Sequence, residues 1–309
     1  MSNPAESFEP YRQRLLGLAY RMLGSMADAE DAVQETYVRW HGTNRTKVVD
    51  PRAFLMTMTT RICLDMLRSA RARREEYVGP WLPEPIFDTA ALAPDSRTEL
   101  AEDLSYALLL TLDRLSPLER AAFLLHDVFE FSFDDVAAAL ERSEAACRKL
   151  ASRARVNVRA ARPRGVTAPA GSGQIEVKHA QLLSAFAAAS RSGDLNAVKQ
   201  FLASDVRLVS DGGGKVRASR QPVEGADHVA RAIVNATRPH KGQWWRDEFK
   251  IRFAIVNGLP AFVVDAPEGP VQTTAFEIEG DLIRALYTVR NPDKLRHLAA
   301  VPPHESGHA

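Results

Sequence analysis

The sequence has only two cysteines, Cys63 and Cys147. They lie far apart, each within a helical pattern, which excludes a disulfide framework or a thiolate metal set. No run of about 18 apolar residues occurs, so no helix is expected to cross a membrane. The stretch Met1 to Phe8 lacks a basic start followed by an apolar run, so a secretion signal is not expected either. These absences lead to the expectation of a cytoplasmic protein with no membrane partner. Nor does one sign of charge dominate. The 40 Lys and Arg against 39 Asp and Glu leave a net charge of +1, so bulk charge does not point to nucleic acid. What remains is a 309-residue chain with 45% hydrophobic and 26% charged residues, a folded-protein composition with length for two or three domains.

The distribution of charge says more than its sum. Arg61, Arg68, Arg71, Arg73 and Arg74 cluster in one stretch. Arg148, Lys149, Arg153, Arg155, Arg159, Arg162 and Arg164 form a second cluster, with no acid among them. Two basic blocks on helices suit two contacts with a polyanion. The competing reading is two solvated helix faces.

The first half reads as helix. Leu15, Leu18, Ala19, Met22 and Leu23 repeat at helical spacing. Ser25 can cap a second helix, whose apolar stripe is Ala29, Ala32, Val33, Thr36, Tyr37 and Trp40. That stripe leaves Glu30, Asp31 and Glu35 outward, an acidic surface for a basic partner. After the polar loop from Gly42 to Val49, Asp50-Pro51 opens a third helix with Leu55, Met58, Ile62, Cys63 and Met66 inward. From Tyr77 to Arg97 four prolines prevent a regular helix. Trp81, Leu82, Ile86 and Phe87 are too apolar for an idle linker and predict docking.

Helical periodicity resumes at Glu99. Ser132 caps a short helix with Val136, Ala137 and Leu140 inward, and a tight turn spans Glu141 to Ser143. Ser143 then caps a helix with the stripe Cys147, Leu150, Ala151, Ala154 and Val158. Its outward residues are Glu144, Arg148, Lys149, Ser152, Arg155 and Arg159. Two short helices, a tight turn and a basic second helix predict a helix-turn-helix whose second helix enters the major groove. Arg148 and Lys149 are placed to reach base edges, and Arg153 and Arg159 to hold phosphate. A plain three-helix bundle is the alternative.

Past the Pro- and Gly-rich stretch 163–173 the pattern changes. Two helices with Asp194 between them precede alternating Val206, Leu208 and Ser210 and the loop Asp211-Gly212-Gly213-Gly214-Lys215. A helix near Asp227 to Thr237 leads to strands around Asn257-Gly258, a hairpin signal, and an antiparallel set is expected. The Gly-rich loop joins strands, which favours a tight hairpin over a phosphate cradle. Trp244, Trp245, Phe249, Phe253, Phe262 and Phe276 could line an apolar pocket for a small-molecule ligand or form plain core. His179, His228 and His240 lack metal-ligand spacing, and no cofactor is expected. Asp205, Asp211 and Asp265 are acid-base candidates by residue type alone.

Several of these motifs resemble a known family. Leu115-Ser116-Pro117-Leu118-Glu119-Arg120, Phe133-Asp134-Asp135-Val136-Ala137 and Ala151-Ser152-Arg153-Ala154-Arg155 are similar to region four of extracytoplasmic-function RNA polymerase sigma factors. Ala29-Glu30-Asp31-Ala32-Val33-Gln34-Glu35-Thr36 and the run from Asp50-Pro51-Arg52 to Asp65-Met66-Leu67-Arg68 resemble region two. One departure is visible: Glu141 stands at a turn position normally filled by glycine. Trp81-Leu82-Pro83-Glu84-Pro85 in the linker, Asp211 to Lys215 in the C-terminal part and Asn291-Pro292-Asp293-Lys294-Leu295 near its end resemble the SigJ-like subgroup, which carries a SnoaL-like domain of the NTF2-like cone fold.

The resemblance implies two all-α sigma domains and an α+β cone-fold domain. The expected boundaries are region two at 8–76, a linker at 77–98, region four at 99–162, a linker at 163–173, the SnoaL-like domain at 174–298 and a disordered tail at 299–309. It implies promoter-specific initiation with core polymerase, the clamp coiled coil of β′ and the β flap being the docking points. Glu30, Asp31, Gln34 and Glu35 would bind polymerase. Asn44, Arg45, Arg61, Arg68 and Arg71 would hold the −10 element. Ser143, Glu144, Arg148, Lys149, Ser152, Arg153, Arg155 and Arg159 would meet the −35 element. The three subgroup markers would carry regulation in cis, with no catalysis. The alternative is a DNA-tethered isomerase or cyclase.

Overall fold

A computed structural model describes residues 4–75, 77–87, 92, 104–161, 177–237 and 249–300, without the side chains of 70–75, 161 and 299–300. The expectations for residues 163–173, for Arg162, Arg164, Trp244, Trp245 and His240, and for a tail beyond 300 lie outside these residues. The chain divides into two compact units, one of residues 1–76 and 88–171, the other of residues 77–87 and 172–309. The division cuts the expected linker 77–98 in two: its first part belongs with the C-terminal half.

In the first unit, α1 (Pro4–Leu23), α2 (Met26–His41) and α3 (Pro51–Glu75) form a bundle. Ser25 caps α2 by accepting from Asp28 N. Leu15, Leu18, Met22, Ala29, Ala32, Val33, Leu55 and Cys63 are buried between these helices. Two buried threonines, Thr36 and Thr59, satisfy each other at 3.0 Å, and the Trp40 indole donates to Ser7 Oγ at 3.1 Å. The later helices of this unit are α4 (Tyr106–Arg114), α5 (Pro117–Phe123), α6 (Phe133–Leu140) and α7 (Glu144–Ala161). Ser116 and Glu119 form a full capping box on α5. α5 passes into a π-helical turn at Leu124–Val128, closed by Phe129 N on Leu124 O at 2.9 Å. Burial of Cys147, Ala151, Ala154 and Val158 fixes the inner face of α7.

In the second unit, α8 (Val177–Ser192), α9 (Leu195–Lys199) and α10 (Ala226–Thr237) cover one face of a six-stranded sheet. The strands are β1 (Leu202–Asp211), β2 (Val223–Glu224), β3 (Lys250–Val256), β4 (Leu259–Ala266), β5 (Gly269–Glu279) and β6 (Leu282–Val289), in the order β2-β1-β6-β5-β4-β3. Leu183, Phe186, Val198, Val206, Val229, Val234, Phe276 and Leu286 form the core between the layers. Edge-to-face contacts run from Phe186 to Phe276, Phe262 and Phe253, at 5.7, 5.0 and 5.1 Å.

The meander β3-β4-β5-β6 is antiparallel, but β1 pairs with β6 in parallel, from Leu202↔Ile283 to Asp211↔Val289. The antiparallel expectation holds for the meander, and β1 departs from it. Alternation reports which side chains face inward. The direction of a non-sequential neighbour depends on the long connection between β1 and β6, which alternation does not report.

Candidate nucleic-acid interface and a grip on the connecting segment

On α2, the residues opposite the buried stripe are exposed: Glu30, Asp31, Gln34 and Glu35 share one face. Glu35 is already paired with Arg39 one turn on, at 2.8 Å. This pair reduces the acidity of that end, so Glu30 and Asp31 dominate the outward negative charge.

The five residues expected at the −10 element are used unevenly. Asn44 caps a 3₁₀ turn at Arg45–Lys47, its Oδ1 accepting from Thr46 N at 3.3 Å and Thr46 Oγ1 at 2.7 Å. Arg68 pairs with Asp65 on its own helix at 2.8 Å. Arg71 lies in α3 with its side chain outside the described set. Arg61 points at region four: Nε donates to Ala139 O at 3.0 Å and Nη2 to Ala138 O at 2.8 Å. Lower on α3, Arg52 Nη2 donates to Phe129 O at 2.9 Å. The buried Arg120 guanidinium of α5 donates to Met22 O of α1. The bundle α1–α3 and the helices α4–α7 therefore close on each other through arginine-to-carbonyl bonds.

In the expected −35 set, Ser143 caps α7 by accepting from Ala146 N at 3.3 Å. Arg148 pairs with Glu144, and its guanidinium lies 4.7 Å from the Phe133 ring centre. Lys149, Ser152, Arg153 and Arg159 are exposed along one side of α7. Arg155 differs from its expected outward position. It is half-buried and pairs with Asp127 at 2.6 Å, tying α7 to the π-turn. The stripe of α7 shows no such partner, because Asp127 lies on another element 28 residues upstream.

A dense polar cluster lies in the second unit, around Asp211, whose relative exposure is 0%. Its Oδ1 accepts from the Tyr77 hydroxyl at 2.5 Å and from Gly213 N at 3.0 Å. Its Oδ2 accepts from Leu82 N at 2.8 Å and from the Lys294 ammonium at 2.7 Å. Lys294 also donates to Leu82 O, and its Nζ lies 4.3 Å from the Trp81 ring centre and 5.1 Å from that of Tyr77. A buried carboxylate with four donors, one of them a caged cation, is a satisfied ion pair rather than an acid-base centre. Burial, and secondarily the bond to Asp211, pushes the Tyr77 hydroxyl far above its ordinary range.

The remaining markers complete this cluster. Asn291 Nδ2 donates to the Tyr77 hydroxyl at 2.9 Å, and Asn291 Oδ1 accepts from Asp293 N at 3.1 Å at the start of the turn Pro292–Lys294. Lys215 pairs with Asp293 and holds its carboxyl below the usual range. Gly213 has φ +58°, and a Cβ there would come 2.3 Å from Asn291 Nδ2. At Gly212 a Cβ would meet Val216 O at 2.1 Å. The glycines thus let backbone and cluster approach. Leu82, Pro83 and Leu295 are buried beside them.

Several partners carry no marker in the sequence. Asn257 Oδ1 accepts from Ile86 N at 3.1 Å, while Asn257 N donates to Ile86 O at 2.9 Å. The Asn257-Gly258 turn thus doubles as a bracket on the strip. His297 Nε2 donates to Pro85 O at 2.7 Å, and the Arg252 guanidinium lies 5.0 Å from the Phe87 ring centre. Residues 77–87 are therefore gripped along their length by the sheet and the C-terminal turns. The apolar content of the strip signals docking, but nothing in one sequence identifies Tyr77, Asn257 or His297 as partners.

Comparison with known proteins agrees with these elements. The Sigma-70 region 2 model matches residues 8–73 and the Sigma-70 region 4 model residues 105–158. The chain is 39% identical over 296 residues to the ECF RNA polymerase sigma factor SigJ of Mycobacterium tuberculosis strain H37Rv, covering 93% of this chain and 91% of that protein. It is 29% identical to the probable ECF RNA polymerase sigma factor SigI of Mycobacterium tuberculosis strain CDC 1551, covering 95% of both chains. The crystal structure of Mycobacterium tuberculosis SigJ superposes with a TM-score of 0.69 at 34% identity, covering 94% of this chain and 97% of that one.

Proposed function

The chain belongs to the extracytoplasmic-function sigma factors of RNA polymerase, and we propose that its C-terminal unit regulates initiation by gripping the segment that joins regions two and four. As a sigma factor it binds core RNA polymerase and directs promoter-specific transcription initiation. The observation that carries the regulatory reading is the Asp211 cluster, which fastens Tyr77 and Leu82 to the sheet. Both regions must engage one promoter together, and the freedom of the chain between them sets the effective concentration of the second on the DNA once the first has bound. Anchoring 77–87 shortens the free part of that connection. Releasing it lengthens the tether.

In this reading α2 meets the clamp coiled coil of β′ through Glu30, Asp31, Gln34 and Glu35. Region four meets the β flap and the −35 element. Arg148 and Lys149 contribute base choice there, while Arg153 and Arg159 hold phosphate. Asn44, Arg45, Arg61, Arg68 and Arg71 serve the −10 element. The test of the docking assignment is a triple charge reversal, Glu30→Lys, Asp31→Lys and Glu35→Lys. It should weaken core binding at least tenfold while circular dichroism stays unchanged. Equal binding by the folded variant refutes the assignment.

A further inference from the structure

The pairing of Arg61 with region four has chemistry of its own. Ala138 and Ala139 lie in the last turn of α6, where carbonyls have no partner within the helix and the negative end of the helix dipole gathers. Arg61 satisfies both of these carbonyls, and its Nη2 lies 3.3 Å from Glu141 Oε1. Glu141 is the residue that ends α6, with φ 53° and ψ 48°. A side chain is strained in that left-handed conformation, and glycine is the usual occupant. The chain therefore has a disfavoured residue at a position that puts a carboxylate beside Arg61. Two carbonyl oxygens and a carboxylate offer a guanidinium the same acceptors as a DNA phosphate.

We propose that the C-terminal end of α6, with Glu141, is an intramolecular stand-in for promoter phosphate that holds Arg61 and keeps regions two and four closed until DNA displaces it. The inference rests on the assignment of Arg61 to the −10 element. Arg52 on Phe129 O and Arg120 on Met22 O brace the same closure from sites that end on buried or half-buried groups. The Arg61 contact differs from them. Its side chain and that of Glu141 are 45% and 73% exposed, so water, salt and polyanions reach it first. Opening should begin at this contact.

The test uses the full chain with donor and acceptor dyes on Ser69→Cys and Asn157→Cys. Both positions are exposed and the native Cys63 and Cys147 are buried. Energy transfer reads closure, and a random-sequence single-stranded oligodeoxynucleotide is the binding probe. Glu141→Gly removes the carboxylate and fits the backbone, so it should fold at least as well as the parent. The expected result is a population of open molecules raised about two- to fivefold, the range of an exposed ion pair, and tighter oligonucleotide binding by the same factor. Added salt should open the parent and have little further effect on the variant. Unchanged transfer in Glu141→Gly overturns the latch. Increased opening with unchanged oligonucleotide affinity overturns the competition with DNA, and places the failure in the −10 assignment of Arg61 rather than in the latch.

Discussion

Replacing Lys294 with Met removes the ammonium from the Asp211 cluster and keeps most of the side-chain volume. Asp211 then remains a fully buried carboxylate with three donors left: the Tyr77 hydroxyl, Leu82 N and Gly213 N. Leaving one partner of a buried ion pair uncompensated costs about 3–5 kcal/mol. The substitution also removes the cation held against the Trp81 and Tyr77 rings. The strip keeps its other anchors, since burial of Leu82 and Ile86 contributes about 1.5–3 kcal/mol each. The loss should therefore appear as local release of residues 77–87 and not as global unfolding. Amide hydrogen exchange at Leu82, whose N–H ends on Asp211, reads it directly. At about 1.4 kcal/mol per tenfold, exchange there should accelerate about 100- to 3,000-fold, while core strand β5 changes little. The double variant Asp211→Asn, Lys294→Met removes the uncompensated charge and should recover part of the protection. Exchange at Leu82 within threefold of the parent in Lys294→Met refutes the reasoning.

Two further outcomes follow from the geometry. Burial and the bond to Asp211 raise the Tyr77 pKa, so the folded state holds this proton more tightly than the unfolded state. That stabilisation is complete below about pH 10 and is lost progressively as pH rises above it. Urea midpoints measured from pH 8 upward should fall on the alkaline side in the parent, and Tyr77→Phe should lower the neutral value and flatten that fall. On α7, Arg153→Ala with Arg159→Ala should reduce the slope of log affinity against log salt by about 2 on duplex DNA without changing sequence preference. An unchanged slope removes these two from the phosphate contacts.

Much of the architecture is legible where local rules act alone. Ser25, Ser132 and Ser143 cap the helices the sequence assigns to them, and Asn257-Gly258 turns a hairpin. The inward stripe of α7 follows from its apolar spacing. Three features were not legible, each because it depends on residues distant in sequence. The parallel pairing of β1 with β6 depends on a crossover. The inward turn of Arg155 depends on a π-turn 28 residues upstream. The assignment of 77–87 to the C-terminal unit depends on contacts such as Lys294 with Leu82, more than 200 residues away. The Asp211 to Lys215 loop shows the same division. Its glycines announce an unusual backbone, and only the structure shows that this backbone makes room for Asn291 and aims Asp211 at the strip.

The central claim is that the grip on residues 77–87 sets promoter output. Multi-round transcription with core polymerase and the full-length chain tests it, comparing the parent with Trp81→Ala, Gly213→Val and Lys294→Met at concentrations that saturate core. With core binding equal across the set, each variant that frees Leu82 in hydrogen exchange should change promoter output at least threefold, all three in the same direction. Output equal to the parent from a variant whose strip is demonstrably released would contradict the account.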